Sequence, residues 1–163
     1  MILTPEKRIV VVMGVSGCGK TTLGKLLAQR LGCEFIEGDD FHPAANVAKM
    51  ASGKPLGDAD RLPWLEALNA KLKERQKAVL ACSALKQSYR EILLRDVPAS
   101  ALVYLHGPFE LLQARLKARQ HRYMPASLLA SQFATLEPPR EAIAVDVGAS
   151  VEACLEAIEA RLG

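Results

Sequence analysis

The chain has 163 residues, half of them hydrophobic and 24% charged, with a mean hydropathy of +0.09; this length supports one hydrophobic core, not two. Its net charge of +3 arises from basic residues scattered among acids, which describes a mixed solvated surface and not a nucleic-acid face. The longest apolar runs, IVVVM and AVLAC, are far too short to cross a bilayer, and Pro5, Glu6 and Lys7 interrupt any leader-like opening, so the chain reads as cytoplasmic, with neither nucleic acid nor membrane as partner.

The first element predicted is a strand over RIVVVM (8–13), β-branched and apolar throughout, as expected of a central parallel strand. A glycine-rich loop follows. KTTLGKLLAQRLG then places Leu23, Leu26, Leu27 and Leu31 at helical spacing, with Gly32 as the stop. CEFIE reads as a second strand. PAANVAKMAS reads as a helix with Pro43 in its first turn and Gly53 beyond its end. LPWLEALNAKLKER, from residue 62, is another helix, with Trp64, Leu65, Leu68 and Leu72 on one face. AVLAC is a strand, QSYREILLRD a helix and ALVYLH a strand. A helix runs from Phe109 to about Gln120, QHRYMPA breaks it, and SLLASQFATL resumes helix. AIAVDV is the last strand, and SVEACLEAIEARL closes the chain with Val151, Leu155, Ile158 and Leu162 inward. Strands alternating with helices from end to end predict a single α/β domain over 1–163, a doubly wound parallel sheet of about five strands with helices on both faces. Cys18, Cys33, Cys82 and Cys154 show no zinc-ligand spacing and read as reduced thiols.

Residues 14–21, GVSGCGKT, fit G-x-x-x-x-G-K-[ST] between a predicted strand and a predicted helix. In such a loop consecutive main-chain N–H groups point at an anion and the helix presents its positive end. Gly14, Val15, Ser16, Gly17, Cys18, Gly19, Lys20, Thr21 and Thr22 are therefore the candidate nucleotide site. Lys20 would reach the β- and γ-phosphates, and the Thr21 hydroxyl would ligate Mg²⁺. A GTPase would need an N-K-x-D motif, which is missing. Motor ATPases end an apolar strand in Asp, whereas AVLAC ends in Cys82. A small phosphotransferase remains.

EGDDFHPAAN (37–46) follows the second strand, whose end should lie beside the phosphate loop. An alcohol attacking a γ-phosphate must lose its proton, and a held carboxylate can take it. A second carboxylate can hold a water on Mg²⁺. Glu37 and Asp39, in E-x-D spacing, supply both, and His42 beside Asp39 is a candidate to hydrogen-bond a polyhydroxylated ligand.

GVSGCGKTT, EGDDFHPAANVAKMASGKPLGDADRLPWL, ACSALKQSYR, LKARQHRYMPASLLASQFATLEPP and AVDV together resemble gluconokinases of the small P-loop kind, relatives of shikimate kinase. The resemblance covers nearly the whole chain. It implies phosphorylation of D-gluconate at the 6-hydroxyl by ATP and Mg²⁺; the residue chemistry alone yields only a small hydroxylated anion. By position Asp39 matches the second acid of the family's D-G-D and is the catalytic base. Glu37 stands where the family more often has Asp, and serves Mg²⁺ through water. Asp40 ranks below Asp39, and His42 matches the family histidine.

Arg61 and Lys86 are candidates to grip the gluconate carboxylate, and Ser83 to hydrogen-bond a sugar hydroxyl. Trp64 reads as core and Arg90 as a surface residue of its helix. The resemblance also implies a substrate-binding helical segment at about 40–73, a homodimer, and a mobile lid at about 119–126. Arg119 and Arg115 border that lid and are assigned to the nucleotide. The family often has K-G-H where this chain has Gln120, His121 and Arg122, so no role carries over to those positions. The rival readings are a kinase for shikimate, adenylyl sulfate or a nucleotide, and, from another class, a regulator that binds nucleotide without consuming it.

Overall fold

Residues 8–118 and 126–162 are described by a computed structural model. Strand β1 (Arg8–Met13) carries five consecutive apolar side chains, Ile9 to Met13, all fully buried. A strand buries every position only when both of its faces are covered, so this run takes the centre of the sheet. Strands β3 (Lys77–Ala81) and β4 (Ser100–His106) flank it. Strands β2 (Glu34–Glu37) and β5 (Ile143–Asp146) form the edges, giving the order β2-β3-β1-β4-β5 with every pairing parallel. The five-stranded parallel sheet expected from the sequence is present.

Parallel neighbours need crossovers, and helices supply them. They are α1 (Lys20–Leu31), α2 (Ala44–Ala51), α3 (Asp58–Lys73), α4 (Gln87–Leu93), α5 (Phe109–Lys117), α6 (Ala126–Thr135) and α7 (Val151–Leu162). Helix α1 packs on β1, β2 and β3 and touches α7, which lies on β5, while α3 packs on α4. Leaving β1 the chain heads for the β2–β3 side; leaving β4 it heads for β5. The crossovers therefore diverge between β1 and β4, and the crevice beyond the strand ends at such a point is where open α/β sheets bind ligands. The glycine-rich loop after β1 opens there.

Two boundaries and one buried face differ from the sequence reading. Helix α3 starts at Asp58, not Leu62, because the Asp60 carboxylate accepts the Gly57 N–H at 2.8 Å and forms a turn ahead of the apolar face. Pro43 precedes α2 as its N-cap residue and does not sit in its first turn. In α7 the buried stripe is Cys154, Leu155 and Ile158, whereas Val151 is 45% exposed. Val151 opens the helix, while the Cys154 thiol reaches the backbone leaving β5, 3.6 Å from the Asp146 carbonyl. No helix among the described residues is long and apolar enough to cross a membrane. The expected lid, with Arg119, His121 and Arg122, lies outside the described residues apart from Ala126, which begins α6.

Candidate active site

The turn off β1 depends on Gly14, whose φ is +152° and whose absent Cβ would meet the Leu105 carbonyl oxygen at 2.6 Å and Cys18 Sγ at 2.7 Å. Any side chain here would push the loop away from β4. Val15, Gly17 and Cys18 are buried beneath the loop. Gly19 precedes α1 and offers no side chain to cap it, so the first-turn N–H groups stay available to an anion. Lys20 Nζ donates to the Val15 carbonyl at 3.1 Å. Thr22 is exposed on the first turn of α1.

The Ser16 N–H is already engaged in this structure: it donates to Gln132 Oε1 at 2.7 Å, and Gln132 Nε2 donates to Ser16 Oγ at 3.0 Å. Helix α6 lies over this side of the loop, and its glutamine satisfies the amide.

Across the loop, β2 ends in Glu37. The Thr21 hydroxyl donates to Glu37 Oε2 at 2.5 Å, and the Asp39 N–H reaches Glu37 Oε1 at 3.4 Å. The 3₁₀ turn Gly38–Phe41 then carries Asp39. Gly38 is pressed on the end of β3, where a Cβ would lie 2.4 Å from the Ala81 carbonyl oxygen. From the other side Trp64 Nε1 donates to the Gly38 carbonyl at 2.7 Å. The turn is pinned from two directions, so the main chain leading into Asp39 is held by β3 and α3 together. Asp40 is exposed.

A cleft of about 80 Å³ joins the two walls. Ser16 and Lys20 line it from the phosphate loop, and Asp39, His42, Arg61 and Ser83 line it from the other side. The sequence reading thus brought six of its candidates to one place. Ser83 is held near the loop by its carbonyl, which accepts the Gly14 N–H at 3.4 Å. His42 stacks on Trp64, with ring centroids 4.1 Å apart and planes within 15°. Burial holds its imidazole below the usual pKa range; Asp39 opposes the shift and Arg61 adds to it. Burial thus favours the neutral ring.

Arg61 Nη1 donates to the Leu56 carbonyl at 2.5 Å and to Tyr89 Oη at 3.1 Å. Those bonds fix one prong of the guanidinium and leave the rest of its fork for an anion. Tyr89 in turn donates to Asp58, which also holds Lys86 Nζ at 3.1 Å.

Of the other predicted cations, Lys86 and Arg115 lie elsewhere. Lys86 is absent from the cleft lining, since Asp58 draws its ammonium aside and it sits over the Tyr89 ring. Arg115 does not line it either, and Nη2 donates to the Val147 carbonyl at 2.6 Å. Arg90 is no surface residue: it is 4% exposed and donates to the carbonyls of Ala84 and Glu137 at 2.6 and 2.9 Å. It braces the loop after β3, where Ala84 takes a φ of +45°. Cys82, beside Ser83, has its thiol pushed up to about 12 by burial, so it is no nucleophile.

Three contributors from α6 escaped the sequence reading, beside the apolar Met50, Pro55, Leu56 and Leu85. Leu128, Ser131 and Gln132 of α6 line the cleft, yet nothing in the spacing of SLLASQFATL separates them from an ordinary amphipathic helix. A larger depression of about 830 Å³, bordered by Arg90, Glu137 and Arg140, shares no lining residue with the phosphate loop.

Among the described residues no three His, Cys, Asp or Glu side chains cluster to hold a metal. The Thr21 hydroxyl with the Glu37 carboxylate instead suits an ion that brings most of its oxygen ligands with it, as Mg²⁺ does on a nucleotide.

A parallel sheet with a phosphate loop after its central strand, faced by a carboxylate across a small polar cleft, defines a small-molecule kinase fold. Residues 16–142 match the family described as shikimate kinase. A gluconokinase of Gluconobacter oxydans is 54% identical over 138 residues, covering 82% of this chain and 78% of that protein. The thermosensitive gluconokinase of Escherichia coli is 41% identical over 160 residues, covering 91% and 86%. The crystal structure of a gluconokinase from Sinorhizobium meliloti superposes with a TM-score of 0.89 at 44% identity, covering 96% of this chain and 94% of that one. The chain belongs to the gluconokinase family, within the shikimate-kinase-like group.

Proposed function

We propose that this chain transfers the γ-phosphoryl group of ATP to the 6-hydroxyl of D-gluconate, giving 6-phospho-D-gluconate and ADP. The observation that carries the reading is the single cleft lined at once by Ser16 and Lys20 of the phosphate loop and by Asp39, His42, Arg61 and Ser83. The naming of gluconate leans on the relatives.

In this reading the loop amides and Lys20 hold the triphosphate. Asp39 orients the hydroxyl and takes its proton as the new O–P bond forms, the β,γ-bridging bond breaks and ADP leaves. Arg61 receives the carboxylate of the sugar acid on the free part of its fork. Thr21 and Glu37 would hold Mg²⁺, the latter through water, and the ion when bound would neutralise charge on the β- and γ-oxygens. Arg119, in the polar break before α6, is the cation assigned to the lid. The four free cysteines suit a reducing compartment, and we place the enzyme in the cytoplasm.

The test is an acceptor panel with ATP and Mg²⁺, following ADP release and identifying the product by mass. Gluconate should stimulate turnover and gain one phosphate. Stimulation by shikimate or adenylyl sulfate but not gluconate would overturn the substrate, and ATP binding without consumption under every acceptor would overturn the enzyme.

A further inference from the structure

Asn46 of α2 stands behind the cleft and has no part in the steps above. It is 4% exposed, and its Nδ2 lies 2.8 Å from the Asp60 carbonyl oxygen and 3.2 Å from His42 Nδ1. A main-chain carbonyl only accepts, so the atom facing Asp60 must be the amide nitrogen and not the amide oxygen. An amide nitrogen only donates. His42 Nδ1, facing that same nitrogen, must therefore offer a lone pair, and in a neutral ring the proton then sits on Nε2.

The free nitrogen is aimed at the acceptor side. His42 Nε2 lies 4.0 Å from Asp39 Oδ1, and the imidazole side chain is 5% exposed. That separation is too long for a direct hydrogen bond but admits one oxygen about 2.8 Å from each. Stacking on Trp64, which also holds the Gly38 carbonyl, ties the ring and the Asp39 turn into one unit. The charged groups facing the ring are Asp39 on the turn and Arg61 on α3.

We infer that Asn46 is a positioning residue that fixes His42 as the neutral Nε2–H tautomer, so that one substrate hydroxyl accepts from His42 while donating to Asp39. Such a donor–acceptor pair reads a hydroxyl specifically, because an ether or a methylene at that point leaves Asp39 Oδ1 without a donor. The identity of the ligand rests on the proposed function; the tautomer does not.

Long-range ¹H–¹⁵N correlation spectra of ring-labelled protein test this at neutral pH, with His42 assigned among the three histidines by His42→Gln. The wild-type ring should show a protonated Nε2 and an unprotonated Nδ1. A dominant Nδ1–H form would overturn the inference whatever the substrate proves to be. In Asn46→Asp the carboxylate offers only an acceptor, so the proton should move onto Nδ1. The KM for gluconate should then rise about tenfold or more, a loss of about 1.4 kcal/mol, with the Kd for ATP unchanged within about twofold. An unprotonated Nδ1 in that variant, or an unchanged KM, would remove the positioning role. Should Asn46→Asp fail to fold, the wild-type spectrum decides alone. A correct tautomer alongside inert gluconate in the acceptor panel would sink the proposed function and leave the tautomer standing.

Discussion

The two walls of the cleft differ in how they are made. The phosphate-loop wall is continuous in sequence, residues 14–21, and is built from main chain, one glycine turn and the start of α1. The acceptor wall draws Asp39 from a 3₁₀ turn, Arg61 from α3 and Ser83 from the loop after β3, and presents side-chain atoms. A main-chain site is damaged chiefly by a misplaced Cβ. A side-chain site is damaged by exchanging a single atom. The first should govern nucleotide affinity and the second turnover and acceptor choice.

The largest effect that separates the walls is expected from Asp39→Asn. Turnover should fall at least about a hundredfold, the scale of general-base catalysis, while ATP affinity measured by calorimetry stays within about twofold. An equal loss of ATP affinity would mean the walls are not independent. Glu37→Gln probes the seam between them, because Glu37 touches both Thr21 and the Asp39 N–H. The Mg²⁺ concentration for half-maximal rate should rise about 10- to 100-fold, as for loss of an indirect metal contact; an unchanged Mg²⁺ requirement would detach Glu37 from the metal.

Gly38→Ala tests the support of the acceptor wall. Its Cβ would meet a backbone oxygen at 2.4 Å, which cannot rotate aside, so urea denaturation should show a loss of about 1–3 kcal/mol together with slower turnover. Full stability would show that the turn is not pressed on β3.

The smallest effect is a pH dependence. His42 is held below its ordinary pKa, mainly by burial, so below about pH 6.5 the unfolded chain binds a proton that the folded chain does not. Stability should therefore fall as pH drops from about 6.5, by at most about 1.4 kcal/mol per pH unit, until the folded ring titrates. His42→Gln should flatten that part of the urea midpoint curve, and an unflattened curve would deny the buried neutral ring.

The same contrast explains what was legible in the chain. RIVVVM and GVSGCGKT announce themselves because local composition and spacing determine a central strand and the loop after it. Asp39 was legible because it trails the second strand by two residues. Arg61 lines the cleft, but its bonds to Leu56 and Tyr89 were not visible. Lys86 was misplaced for the same reason: Asp58, 28 residues away, draws its ammonium aside. Gln132 touches Ser16 across 116 residues of chain, and no local pattern reports such a contact. Arg90 looked solvated because helical spacing cannot foresee that Ala84 and Glu137 turn their carbonyls inward.

The central claim is that Asp39 aims an alcohol at a phosphate held by residues 14–21. A crystal structure with a non-hydrolysable ATP analogue, Mg²⁺ and gluconate tests it most directly. The account predicts the 6-hydroxyl within about 2.6–3.2 Å of the Asp39 carboxylate and in line with the γ-phosphorus. A gluconate seated with that hydroxyl on another residue, and Asp39 turned to solvent, would contradict it.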